Sequence, residues 1–238
     1  MTLRLIPLVA SLLLTELPLP GATEPNTLAA AEKAAGWTSL FDGNSLAGWR
    51  SLKSEAPPPG WKVLDGELVR TARSGDLVST AEFGDFELRL QWKLADGGNS
   101  GVLYRVGLDE ARTIFTGPEF QILDPSSIPA LAKKGLVIGP QHLTGAIADV
   151  MPPASNPAKP NGEWNDTRIL VRGWRVEHWL NGVKIVDLDL ASAEGRQRIA
   201  ASKFAKSANF ARLARGHLAL QDHDERVSFR AIQIRTLK

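Results

Sequence analysis

The 238 residues carry 28 Lys and Arg against 26 Asp and Glu, a formal net charge of +2, and contain no cysteine. Basic residues scattered along the chain, with no run or stripe, give no sign of a nucleic-acid partner. Without thiols there are no disulfide staples, no thiol nucleophile, no cysteine-ligated zinc and no acylated-cysteine lipoprotein anchor.

Arg4 precedes the apolar stretch Leu5 to Leu14. This is the plan of a signal peptide, too short to cross a bilayer as a helix and lacking the polar face of an amphipathic one. Small residues at Gly21-Ala22 and Ala29-Ala30-Ala31 offer cleavage points. Residues 1–30 are therefore expected to be signal peptide and linker. The protein is expected to be exported, periplasmic or secreted, with no transmembrane anchor, and 36–238 to form one domain.

Strands are expected first at 36–41 and 61–70. Phe86-Glu87-Leu88-Arg89-Leu90-Gln91-Trp92-Lys93-Leu94 alternates apolar and polar residues strictly, the period of a half-buried strand. The turn cluster Asp96-Gly97-Gly98-Asn99-Ser100-Gly101 follows, then a strand at 102–106, read as the antiparallel neighbour of the first. After a strand at 119–123, residues 125–139 read as an excursion over the sheet surface and the proline-rich stretch 152–162 as a loop rimming a site. Residues 168–171 form a strand, and 174–180 and 183–186 a hairpin turned by Asn181-Gly182, a dipeptide that favours a type I′ turn. A short helix within 191–210, a strand at 217–221 and a last strand at 227–237, bulged between Phe229 and Ile232, complete the chain. Many short strands with almost no helical periodicity point to an all-β jelly-roll sandwich of two antiparallel sheets. The seven Trp are core residues first and sugar-stacking platforms second.

No phosphate loop, nucleophile elbow or His-Glu-x-x-His helix occurs, so a site has to be assembled from carboxylates, amides, arginines and four histidines. On a strand, Glu119 and Gln121 share one face about 6.5–7 Å apart while Phe120 and Ile122 face the core. A solvated strand face would have the same pattern. Most glycosidases need two carboxylates, and here the pair is incomplete. His217, Ala219 and Gln221 share a face, with His223 on the same parity. The cluster Gln221-Asp222-His223-Asp224 suits sugar hydroxyls or a hard cation, and equally an ordinary turn. Arg105, on the parity of Leu103, is placed to position a carbonyl or hydroxyl, or to pair at the surface.

Taken in order, the segments Ser39-Leu40-Phe41-Asp42-Gly43-Asn44-Ser45-Leu46-Ala47-Gly48-Trp49, Trp61-Lys62-Val63-Leu64-Asp65-Gly66-Glu67-Leu68, Phe83-Gly84-Asp85-Phe86-Glu87-Leu88, Gly98-Asn99-Ser100-Gly101-Val102-Leu103-Tyr104-Arg105, Glu119-Phe120-Gln121-Ile122-Leu123-Asp124, Gly162-Glu163-Trp164-Asn165, Leu180-Asn181-Gly182 and Leu220-Gln221-Asp222-His223 resemble the 3-keto-disaccharide hydrolase family. The resemblance implies a concanavalin-A-like jelly roll and an exported enzyme that cleaves glycosides bearing a C3 ketone, by hydrolysis or by elimination across C1–C2. A C3 ketone acidifies the C2 proton, so one general base suffices to start. It also implies roles: Glu119 and His223 as catalytic residues, and Asn99, Arg105, Gln121, Asp124, Trp164, Asn165 and Gln221 as substrate ligands. A divalent cation on Asp124, Asp222 and His223 stays open, as does oligomeric state. Two positions depart from the family: Ala148 stands where an aromatic, usually Tyr, is common, and Ala231 where Asn is usual. The alternative is a lectin-like carbohydrate-binding module of the same fold without catalysis.

Overall fold

The computed structural model describes residues 24–133, 135–223 and 225–237; the apolar run expected to be a signal peptide lies outside the described residues. Two antiparallel sheets face one another. The larger runs β11 (Val183–Asp189), β10 (Arg175–Leu180), β9 (Asn165–Arg172), β6 (Phe86–Leu94), β13 (Val227–Thr236), β4 (Glu67–Arg70) and β3 (Trp61–Leu64), with β1 (Thr38–Ser39) also on β13. The smaller runs β2 (Trp49–Ser51), β5 (Leu77–Phe83), β12 (Gly216–Leu220), β7 (Asn99–Val106) and β8 (Glu119–Leu123). This is the expected jelly-roll sandwich.

Alternation builds the core. Phe86, Leu88, Leu90, Trp92 and Leu94 of β6 point inward to meet Val102, Tyr104, Phe120 and Ile122 of the smaller sheet. Full burial of a side chain of this size stabilises by about 1.5–3 kcal/mol. One polar bridge crosses the interior: Tyr104 Oη lies 3.1 Å from His178 Nε2, and His178 Nδ1 lies 2.9 Å from the Gly145 carbonyl. A carbonyl only accepts, so Nδ1 carries the proton and Nε2 accepts from the tyrosine. Burial holds His178 down at about 4, so the ring stays neutral at physiological pH.

Several expectations are corrected. β6 and β7 are not paired: the Asp96–Gly98 turn carries the chain from one sheet to the other, so Leu94 and Val102 meet the same core from opposite sides. Residues 61–70 are a hairpin, β3 and β4, turned at Asp65 (φ 51°) and Gly66 (φ 75°). Strands β2 and β5 were not anticipated. β5 lacks alternation because it is covered on both faces, Leu77 entering the main core and Val78 a second cluster on the opposite side. The expected helix spans only Ala193–Ala200, started by Ser192 capping Gly195 N. Residues 24–35, of which 24–30 were expected to be signal peptide and linker, dock on the larger sheet through the short helix α1 (Ala30–Ala34). Leu28 is buried, Glu32 pairs with Arg89, and Asn26 bonds Gly66 O and Ala231 N.

The expected bulge in β13 falls between Arg230 and Gln233 and puts Ala231 at φ 51°. An L-residue there costs about 1–2 kcal/mol, and asparagine tolerates the conformation best after glycine. The usual Asn at this position thus has a backbone reason. Ala231→Asn is expected to raise unfolding stability by about 1 kcal/mol in urea titrations, and Ala231→Val to lower it. A stability unchanged by both would contradict the assignment.

Candidate functional site

The outer face of the smaller sheet, turned away from the core, carries the candidate site. Opposed residues of antiparallel neighbours point to the same side, and the register sets Gln121 opposite Gly101 and Glu119 opposite Leu103. On the other flank Ala219 faces Leu103, and Gln221 N donates to Gly101 O at 2.9 Å. Gln121 and Gln221 therefore flank Gly101, with Glu119 one step along. Val78, Leu103, Val106 and Ala219 form an apolar bed beside them, with Leu52, Leu108 and Ile114 packed on it.

Glu119 bends over Gly101. A Cβ built on that glycine would stand 1.9 Å from Glu119 Oε1, so the carboxyl occupies the space a side chain would fill. Only 4 % of Glu119 is exposed, and Oε1 has no hydrogen-bond partner among the described residues; Gln221 Oε1, also buried, has none either. An acceptor buried without a partner costs about 1–3 kcal/mol, so both oxygens are open to a bound water or ligand. Burial pushes the Glu119 carboxyl up to about 8; Lys203 and Arg112 pull the other way and Asp76 adds to the rise. A carboxyl whose proton affinity lies this close to neutral pH can take a proton from carbon and give it back.

Loops around 51–53, 73–76 and 111–114 and the chain at 221–223 line a cavity of about 620 Å³. Asp76 and Arg112, both on its wall, are close enough to act on Glu119 electrostatically. Burial also raises the Asp76 carboxyl, while Thr113 and the Asp222 amide hydrogen-bond to it. On the other flank, residues 145–148 run along β8 like an edge strand, Ala148 N donating to Glu119 O at 3.0 Å. Ile147 bridges Phe120 on the core side, so Ala148 lies on the side of Glu119. Lys203 N bonds Asp149, which also pairs with His142.

Of the residues singled out in the sequence, this face gathers Glu119, Gln121, Asn99 and Gln221, with His223 on the cavity wall. Gln121 Nε2 donates to Asn99 Oδ1 at 2.9 Å, which fixes both amides. The remaining four sit elsewhere. Arg105, at φ 53°, forms a bulge between Leu103 and Val106 that turns its side chain off the face to bond Gly84 O, Gly173 O and Asp85. Asp124 receives Gly97 N, Ser126 N and Asn161 Nδ2 at one end of the sandwich. Burial alone would raise its carboxyl, but those donors outweigh it and hold it low. Trp164 lies on the outer face of the larger sheet between Lys93 and Arg230. Asn165 fastens the proline-rich loop through Lys159 N and Asn181. Asp222, weighed as a metal ligand, is spent on Arg70 at 2.6 Å and on the amides of Ser74 and Gly75. Among the described residues no three His, Asp or Glu side chains stand together as a metal cage. Asp76, Arg112 and Lys203 were missed, since they come from loops with no periodicity to read.

Two outcomes follow from this geometry. Gly101→Ala has room in its backbone conformation but none beside Glu119, so the carboxyl has to swing away; ligand binding or turnover is expected to fall at least about tenfold with the melting temperature little changed. An unaltered site in that variant would contradict the packing. A carboxyl with a raised folded value lends stability that is present below its unfolded value and is lost as pH rises through about 8. Glu119→Gln should therefore gain stability over the parent by about 1–3 kcal/mol between pH 5 and 9, read from denaturation at stepped pH; a pH-independent gap would mean an ordinary carboxylate.

A model of the 3-keto-α-glucoside-1,2-lyase-like domain matches residues 36–235. A protein of Bacteroides thetaiotaomicron named 3-keto-disaccharide hydrolase is 30% identical, the match covering 91% of this chain and 83% of that one. A solved structure from Parabacteroides distasonis, described as a putative glycosyl hydrolase, superposes with a TM-score of 0.83 at 32% identity over 90% of this chain and 99% of that one. β-Agarase A shares the fold alone, at a TM-score of 0.50 and 9% identity over 79% of this chain and 82% of that one. From residue 36 to 235, then, the chain belongs to the 3-keto-α-glucoside-1,2-lyase-like domain family.

Proposed function

We propose that this chain is an exported enzyme that cleaves glycosides whose sugar carries a ketone at C3, beginning with removal of the C2 proton by Glu119. The observation that carries the reading is the buried Glu119 carboxyl, held up at about 8, with an unpartnered oxygen over Gly101. The family description and the name of the Bacteroides relative both specify a 3-keto sugar, which supports the substrate class.

The chemistry needs one base. The ketone makes the C2 proton acidic; Glu119 takes it, the electron pair moves into an enolate, and the C1–O bond breaks as the departing oxygen receives a proton from His223. Water then adds across C1–C2, hydroxyl to C1 and proton to C2, which makes the net change a hydrolysis. Lys203, whose charge already acts on Glu119, offsets the negative charge of the enolate. Gln221, with its free oxygen, and the paired Gln121 and Asn99 hold sugar hydroxyls. Export rests on the N-terminal apolar run, and among the described residues no helix is long and apolar enough to cross a membrane.

A lectin-like module is favoured by one observation, the small Ala148 beside Glu119 where an aromatic is usual in the family. Turnover separates the two. A 3-keto-disaccharide is expected to be cleaved and its unoxidised parent left intact, with Glu119→Gln lowering kcat by about 10²–10⁴. Saturable binding without cleavage would establish the module, and full activity in Glu119→Gln would remove that residue from the mechanism.

A further inference from the structure

The cavity beside Glu119 has a charge pattern that a neutral sugar does not call for. Lys53, Arg73 and Arg112 stand on its wall with no carboxylate in ion-pair contact among the described residues. Lys53 Nζ reaches only the Glu110 carbonyl, at 2.8 Å, and Arg112 lies over the Phe115 ring. The acids of the same wall are turned into the protein. Asp222 is taken by Arg70 and two backbone amides, and Asp76 by Thr113 and the Asp222 amide. Arg112 lies within electrostatic range of the Asp76 carboxylate, whereas Lys53 and Arg73 have no carboxylate in ion-pair contact among the described residues, so the recess keeps a net positive field that its low-dielectric walls concentrate.

We propose that this recess binds an anionic group, a carboxylate or a sulfate ester, carried by the substituent beyond the scissile C1–O bond, with Lys53 and Arg73 as its principal ligands and Arg112 between them and the reacting centre. The assignment rests on the reading of Glu119 as that centre, since it is Glu119 that fixes where the sugar ring lies. Guanidinium groups present paired donors that fit the oxygens of either anion. The enzyme would then act on acidic glycosides and draw them in by long-range attraction, which salt screens.

Calorimetric titration of the Glu119→Gln protein, which binds without turning over, tests this with three probes alike except in charge: the 3-keto-glucosides of phenol, of 4-hydroxybenzoate and of 4-hydroxyphenyl sulfate. The two anionic probes are expected to bind about tenfold more tightly than the phenyl one at low salt, the tighter of the two naming the anion. The gap should close in 0.5 M NaCl and vanish in Lys53→Gln/Arg73→Gln. Equal affinities, a gap that survives the double substitution, or no binding of any probe would overturn the proposal. Wild-type protein that binds in this pattern but cleaves nothing would remove the cleavage reading alone; one that cleaves all three with equal kcat/KM would remove the anion site alone.

Discussion

The missing side chain at position 101 is the constraint around which the outer face of the smaller sheet is arranged. Glycine inside a strand weakens it, yet here it opens the volume that the Glu119 carboxyl occupies. Any Cβ would stand within 1.9 Å of Oε1. Holding the carboxyl there keeps it out of water, and removal from water is the first cause of its raised proton affinity. Gln121 and Gln221, placed on either side of the same glycine by the strand register, complete a polar strip with an apolar bed beside it. One backbone feature thus sets packing and electrostatics together.

The wall of the cavity depends on a second device. Arg70 of β4 and Asp222 at the end of β12 form an ion pair with both side chains almost wholly buried, linking the two sheets at the mouth of the cavity. Such pairs are weak evidence for stability because desolvation offsets the attraction. Their value is positional: Asp222 also fixes the 74–75 amides, and its own amide fixes Asp76. At the far side of the core, the Tyr104–His178–Gly145 chain ties β7, β10 and the edge segment beside β8 in the same manner.

The sandwich was legible in the sequence where one strand face is wet. The alternation of 86–94 and the Asn181-Gly182 turn identified β6 and the β10–β11 hairpin because burial on one side imposes a two-residue period. β5 was not legible because Leu77 and Val78 are both buried, on opposite faces, and the pairing of β6 with β7 was misread because a turn does not say whether it stays in one sheet. Glu119 and Gln121 were legible as one face of one strand, and Gln221 with His223 as another. Their meeting across Gly101 is a matter of register, which no local pattern encodes. Arg105 failed for a related reason: a bulge at positive φ reverses parity, so a residue counted onto the face leaves it. Asp124 and Asn165, read from the sequence as substrate ligands, fasten loops instead.

The step on which the proposed reaction depends is abstraction of the C2 proton by a carboxyl in a dry site. The most direct measurement is the fate of deuterium placed at C2 of a 3-keto-disaccharide and followed by NMR during cleavage in ordinary water. The account predicts that the released 3-keto sugar carries protium at C2, with the label lost to solvent, and that Glu119→Gln halts both the loss and the cleavage together. Cleavage with deuterium fully retained at C2 and with no deuterium isotope effect on kcat/KM would contradict it, since the C1–O bond would then have broken without any proton leaving C2.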